Sequence, residues 1–477
     1  MDRLQPGEAS GPLEQRVERW LERHARDLVE QTAALVRIPS VEGPPEPGHP
    51  FGREVGQALA YVAGLARSLG LETLDVDGYA IHAHWGPSEP LVGVLGHVDV
   101  VPAGSGWSVP PFGGVVRDGR VWGRGALDDK GPTVAALFAA AALAAAGAPV
   151  RRGIRLIVGG DEETGFQCLR HYFARQPRPE VAFAPDALFP VVFAEKGILN
   201  LTVALPAGSA VLARLAGGSR PNVVPDTAEA ELVFPSAGQA GAWQERLARA
   251  ARGRRAQLAA RAAGERVTLS SQGVATHGST PEKGVNAAAE LLAWLVEADE
   301  GQGVLDPGGS LAFLARAGSG LHGEGLGIFT RDDVSGVLTC NLGVLSLREQ
   351  ELVATFDIRY PVSLGRADGL VARVEQALRA QGGRVVAVSD DPPHHVPEDS
   401  WLVRTLLEVY RRETGGDLPP LAIGGGTYAR LLPQAVAFGP VEPMSGAVPH
   451  EKDEHIEVSR LQQLARIYAA ALWELAR

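Results

Sequence analysis

LVGVLGHVDVVPAG, residues 91–104, is a short apolar run that ends on His97 and Asp99. Continuous apolar character without polar alternation marks a strand buried on both faces, the kind that parallel sheets use. His97 and Asp99 are two residues apart, so on a strand they share a face. GIRLIVGGDEETG, residues 153–165, repeats the design and ends on Glu162 and Glu163. Between the two lies TVAALFAAAALAAAG, residues 133–147, whose length and alanine content predict a buried helix. Apolar strands alternating with helices predict an α/β fold with a mostly parallel central sheet flanked by helices. Sheets of this kind open their ligand sites at the carboxyl ends of the strands, where these four residues sit.

Working outward, residues 14–37 read as one amphipathic helix, and residues 51–70 as a second, closed by Gly70. After Lys196 the texture changes. GILNLTVALPAG (197–208) and TAEAELVFPS (227–236) alternate like half-buried strands. WQERLARAARGRRAQLAARAA (243–263) reads as a basic helix with a solvated face, and GERVTLSSQGVATHGS (264–279) as a strand pair. Residues 284–298 read as a helix, residues 336–362 as a hairpin with a four-residue polar turn, residues 364–383 as a helix and residues 384–390 as a strand. This predicts an inserted α+β domain over residues 197–391, with residues 1–196 and 392–477 forming the two parts of the domain that carries His97.

A chain of 477 residues is too long for one core, which agrees with two domains. Hydrophobic residues make up 45%, as in ordinary folded proteins. The net charge of -11 argues against a nucleic-acid surface. Two cysteines, Cys168 and Cys340, provide neither a disulfide framework nor a cysteine-based zinc site, which fits a reducing cytoplasm. The first fifteen residues are polar and lack the apolar segment of a signal peptide. The longest apolar run, residues 134–146, is too short to span a bilayer. The expectation is a cytoplasmic protein with no nucleic-acid or membrane partner.

GRGALDDKGP (123–132) adds Asp128 and Asp129, APDALFP (184–190) adds Asp186, and VPHEKDEH (448–455) adds His450. Carboxylates gathered this way would repel one another, and divalent cations remove that repulsion. Two His with several Asp and Glu are the ligands of a hydrolytic zinc or manganese centre. Each motif has a plainer alternative: a structural His–Asp pair at a strand end, a polar turn capping a helix at DDK, a Pro-Asp turn at Asp186.

Together with ATHGSTPEKGVNA (275–287), FDIRYP (356–361) and GGGTYAR (424–430), these stretches run in order from about residue 90 to 455. In that order the chain resembles the M20 metallopeptidase family, in its PepV-like dipeptidase branch with carnosinase relatives. The resemblance implies two divalent ions, zinc first, with manganese or cobalt as alternatives. It assigns His97, Asp128, Glu163, Asp186 and His450 as metal ligands, with Asp128 bridging and the Asp128–Asp129 peptide cis. It places Asp99 behind His97, bonded to the other ring nitrogen. Glu162 becomes the general base for a metal-bridging water, and His277 the donor to the developing oxyanion.

Arg359, a forked guanidinium on the polar face of its strand with Thr355 and Asp357, suits a substrate carboxylate; its alternative is an ion pair with Asp357. Asn222, Gly425 and Thr427 are further substrate contacts, with a plain turn as the alternative for the glycine loop. The implied activity is hydrolysis of small dipeptides, β-alanyl or D-residue members included, by a monomer, with a homodimer as the other possibility. An N-acyl amino-acid hydrolase or tripeptidase of the same family is the near alternative. A catalytically silent metal-binding or scaffold protein is the distant one, and it would be expected to have lost Glu162 or a ligand.

Overall fold

The computed structural model describes residues 11–443 and 449–477. The chain forms two compact units. One comprises the residues up to Phe193 together with His395–Leu421 and Gly426–Arg477; the other comprises Ala194–His394 with Ala422–Gly425.

In the first unit the sheet runs Glu72–Val76, Ala80–Trp85, Gly153–Gly159, Leu91–His97, Val181–Ala184, Ala435–Ala437. The last four strands pair in parallel. The first two join antiparallel, and Val192 adds a further antiparallel contact beyond Ala437. The two strands whose ends carry His97 and the Glu pair are buried at every residue. That is the burial a two-sided sheet demands of continuous apolar runs. The helix Lys130–Ala145 is buried from Lys130 through Ala144, and it packs against Val458–Ala476. Its alanines combine high helix propensity with small volume, so neighbours approach it on all sides. Among the described residues no helix is long and apolar enough to cross a membrane.

The expected first helix is in fact two, Leu13–Arg23 and Ala25–Val36. His24 breaks it: its Nδ1 donates to Trp20 O at 2.8 Å and its ring stacks on Trp20 at 3.9 Å. A side chain that bonds the preceding turn competes with the helical ladder.

The second unit holds an eight-stranded antiparallel sheet in the order Gln257–Ala263, Arg266–Gln272, Thr227–Val233, Leu212–Gly217, Thr339–Arg348, Glu351–Tyr360, Gly197–Pro206, Arg384–Asp391. Leu199, Leu201, Phe356 and Ile358 of the sheet pack with Leu247, Leu291, Leu314 and Leu370 of its helices in one core.

Here three readings are corrected. The basic helix is Ala237–Ala250 only, and Gln257–Ala263 is an edge strand. Its burial alternates residue by residue, a period that the many small alanines conceal in the sequence. The stretch 264–279 gives one strand, Arg266–Gln272, and His277 lies beyond it in an isolated bridge to Val223. The hairpin turn has two residues, since Arg348 pairs with Glu351 and Glu349 takes a left-handed φ of 54°.

Candidate active site

The strand ends assemble the centre. His97 closes its strand and pairs in register with Gly159, so the segment carrying Glu162 and Glu163 emerges beside it. Asp186 follows the next parallel strand, Val181–Ala184. Asp128 precedes the helix Lys130–Ala145. His450 precedes the strand His455–Glu457, which pairs with Arg120–Trp122.

The side chains converge in two groups, His97 with Glu162 and Asp186, and Asp128 with Glu163 and His450. The ligand atoms of each group lie within 4.8 Å of one another. Asp128 stands between the groups. Its Oδ1 is 3.1 Å from His97 Nε2, and its Oδ2 is 3.0 Å from His450 Nε2. Asp186 Oδ2 is 3.7 Å from His97 Nε2, and Glu163 Oε1 is 3.0 Å from His450 Nε2. The adjacent Glu162 and Glu163 therefore fall in different groups from within one turn.

Behind them the supports differ in detail from a simple His–Asp pair. His97 Nδ1 donates to the backbone O of Asp99 at 3.0 Å, while Asp99 Oδ1 stands at 3.4 Å. Asp99 Oδ2 accepts the N–H groups of Glu162 at 2.9 Å and Glu163 at 3.0 Å. Asp99 thus fixes the His97 tautomer and the acidic loop together. The Asp128–Asp129 peptide is cis. Asp129 Oδ2 accepts His97 N–H at 3.2 Å and Thr133 Oγ–H at 2.9 Å, so it anchors the backbone of the ligand as well as its own turn.

Burial and mutual repulsion dominate the electrostatics. Burial opposes the charged His97 ring, but the carboxylates of Asp128, Asp186 and Asp99 outweigh it and hold its pKa well above the ordinary value. His450, likewise opposed by burial, rises to about 11 through Asp128 and Glu163. Burial, then the Asp186 charge, pushes Glu162 well above the carboxylate range; burial, then Asp128, pushes Asp186 up to about 7. Protons here do what cations would do better. Among the described residues, Glu162 Oε1 and Asp99 Oδ1 are buried without a hydrogen-bond partner. Two imidazoles and four carboxylates of this kind suit hard or borderline divalent ions, so the donor set fits a dinuclear centre.

The remaining candidates lie elsewhere in the chain. Asn222 and His277 belong to the second unit, where Gly278 N donates to Asn222 O at 2.7 Å. His277 Nδ1 lies 3.2 Å from Ser279 N–H and 2.6 Å from Ser279 Oγ. Arg359 is buried and forks onto Asp357 at 2.7 and 2.8 Å, with a third bond to Gly424 O at 2.8 Å. The ion pair held open as an alternative is therefore present, in a buried setting. Thr427, in the first unit, uses its Oγ to accept Ala429 N–H and cap the turn of Tyr428–Leu431.

Four contributors went unread. Tyr428 packs edge-on against His97 at 6.2 Å and bonds Cys168. Asn341 donates to Pro221 O and Val223 O, on either side of Asn222. Arg124 and Glu454 form a buried pair next to the Asp128 loop. Tyr428, Asn341 and Arg124 are not metal-ligand residue types, and the one visible sign was Glu454 sharing HEKDEH with His450.

Residues 93–474 match the family model for peptidase family M20/M25/M40. A Bacillus subtilis (strain 168) protein named "Putative dipeptidase YtjP" is 37% identical over 472 residues, covering 95% of this chain and 98% of its own. A Staphylococcus epidermidis protein named "Putative dipeptidase" is 33% identical over 96% of this chain and 99% of its own. Human carnosine dipeptidase 1 shares the fold with a TM-score of 0.57 at 16% identity, over 98% of this chain and 99% of its own. With a matching family model over most of its length and full-length relatives above 30% identity, the chain belongs to the M20 family of metallopeptidases.

Proposed function

We propose that the chain is a dipeptidase that hydrolyses small dipeptides with two divalent ions, zinc foremost and manganese or cobalt as alternatives. The observation that carries this reading is Asp128, whose two oxygens face His97 and His450 at 3.1 and 3.0 Å. His97 and Asp186 would hold one ion, Glu163 and His450 the other, with Asp128 shared. When bound, such ions supply Lewis acidity that polarises a carbonyl and eases ionisation of water. Glu162 takes the proton of the attacking water and returns it to the leaving amine; its buried Oε1 has no hydrogen-bond partner among the described residues. Dipeptides are the favoured class because the full-length relatives carry that name. Amino-acid release from a panel of α-, β-alanyl and D-residue dipeptides, tripeptides and N-acyl amino acids, under defined Zn and Mn, tests the reading. Turnover confined to N-acyl amino acids would move the chain to the other branch.

His277 is proposed to donate from Nε2 to the scissile carbonyl oxygen as charge develops. His277→Ala should lower kcat by about 10²–10³-fold with little change in KM, as removal of an oxyanion donor does. Steady-state kinetics checks it, and an unchanged kcat would return His277 to an ordinary loop residue.

Arg359 is proposed to bind the substrate carboxylate with the N–H groups that Asp357 and Gly424 leave over. Amidating the dipeptide C-terminus should then harm wild type far more than Arg359→Ala. Equal sensitivity in the two proteins would leave Arg359 with its structural ion pair alone.

A further inference from the structure

The antiparallel ladder between His455–Glu457 and Arg120–Trp122 continues one step further, where Gly123 N–H donates to Glu454 O at 2.9 Å. This register sets Glu454 inside the turn that leads to Asp128. Its side chain is buried, and the backbone folds around it. Oε1 accepts three N–H groups, from Gly125 at 2.9 Å, Leu127 at 3.0 Å and Asp128 at 3.3 Å. Oε2 accepts from Arg124 Nη1 at 2.5 Å. The other arm of Arg124, Nη2, donates to His450 O at 2.8 Å, and its guanidinium lies over the Trp107 ring at 5.3 Å. One carboxylate therefore gathers the loop that presents Asp128. One guanidinium ties it to the loop that presents His450, 326 positions away in sequence.

We infer that Glu454 and Arg124 are positioning residues that set the separation of Asp128 from His450 and so the affinity of the ion held by Asp128, Glu163 and His450. The inference rests on the two-ion reading above. Neither residue reaches the group of ligands with its own side chain. They act by fixing two loops whose side chains stand 3.0 Å apart. A buried ion pair is a poor source of stability unless its hydrogen bonds are satisfied, and breaking one partner is costly. Here the carboxylate is satisfied by four donors, three of them peptide N–H groups. Gln at position 454 keeps the volume but replaces one acceptor by a donor. That donor would face either Arg124 or the peptide N–H groups.

The test titrates metal-free wild type, Glu454→Gln, Arg124→Gln and His450→Ala with Mn²⁺ by calorimetry. His450→Ala identifies the phase belonging to the second ion. That phase should weaken about 10–100-fold in both Glu454→Gln and Arg124→Gln, the usual cost of losing an outer support, while the other phase moves less. Hydrogen exchange of the Gly125, Leu127 and Asp128 amides should quicken in Glu454→Gln even without metal. Wild-type affinity in both phases of both variants would overturn the inference. If wild type itself binds no Mn²⁺, the two-ion reading fails, and the exchange rates alone decide: unchanged protection at the three amides overturns the clamp. If Glu454→Gln does not fold, Arg124→Gln carries the test, since it leaves the carboxylate on its three amides.

Discussion

Glu162→Gln should bind divalent ions as wild type does yet lose about 10²–10⁴-fold in kcat, the range spanned by general acid–base catalysis. The substitution keeps the side-chain length and the bonds to the Glu162 backbone, since Asp99 accepts the peptide N–H and not the side chain. What it removes is a proton acceptor. Burial, then the Asp186 charge, raises the pKa of Glu162. The competing role is equally concrete: Glu162 falls within the same 4.8 Å group as His97 and Asp186, where a ligand would. Stopped-assay kinetics with metal analysis on the same sample separates the two. Two ions with lost turnover make Glu162 the base. One ion with lost turnover makes it a ligand, and near-normal turnover places the base elsewhere.

The parallel centre of the first sheet was legible because LVGVLGH and GIRLIVG are apolar without interruption, and only a strand covered on both faces needs that. The candidate ligands at the strand ends were legible for a related reason. A His or a carboxylate at the end of such a run sits where sheets of this kind open their ligand sites, with a structural pair as the plainer alternative. The edge strand Gln257–Ala263 was not legible, because alanines and arginines satisfy a helical pattern as well as an alternating one, and the partner strand decided between them. The break at His24 depends on a side chain bonding its own helix, which periodicity does not register. The hold of Asp129 on His97, and the roles of Glu454 and Asn341, escaped for a common cause. Each works by accepting or donating bonds to backbone groups distant in sequence, so its partners exist only once the chain has folded. Arg359 shows the converse: residue type pointed to a carboxylate, and the first one it meets is its own neighbour Asp357.

Stripping the divalent ions should abolish turnover, and reloading should restore it with about two equivalents per chain and a higher melting temperature. Asp128, Glu162, Glu163 and Asp186 crowd two imidazoles. Side chains alone relieve this only by holding protons, with Asp186 raised to about 7 by burial and then by Asp128. Ions that bind the folded state stabilise it by about 2.7 kcal/mol each at a hundredfold excess over Kd. Two of them amount to about 5 kcal/mol, and with an unfolding entropy of about 2.1 cal/mol/K per residue over 477 residues the shift is on the order of 5 °C. Ligands must shed protons to bind a metal, so affinity should rise with pH. His97, His450, Glu162 and Asp186 all hold protons more tightly than free side chains do, so metal should leave with proton uptake as pH falls, and the dependence should steepen as pH falls through about 7, where Asp186 joins them. His450→Ala should reduce uptake to one equivalent and halve the thermal shift, because Glu163 and Asp128 lose the imidazole that completes their group. Elemental analysis, calorimetry at several pH values and thermal melts measure these quantities. A protein that stays active while binding no metal, or whose melting temperature ignores both chelator and reloading, would end the dinuclear reading of these side chains.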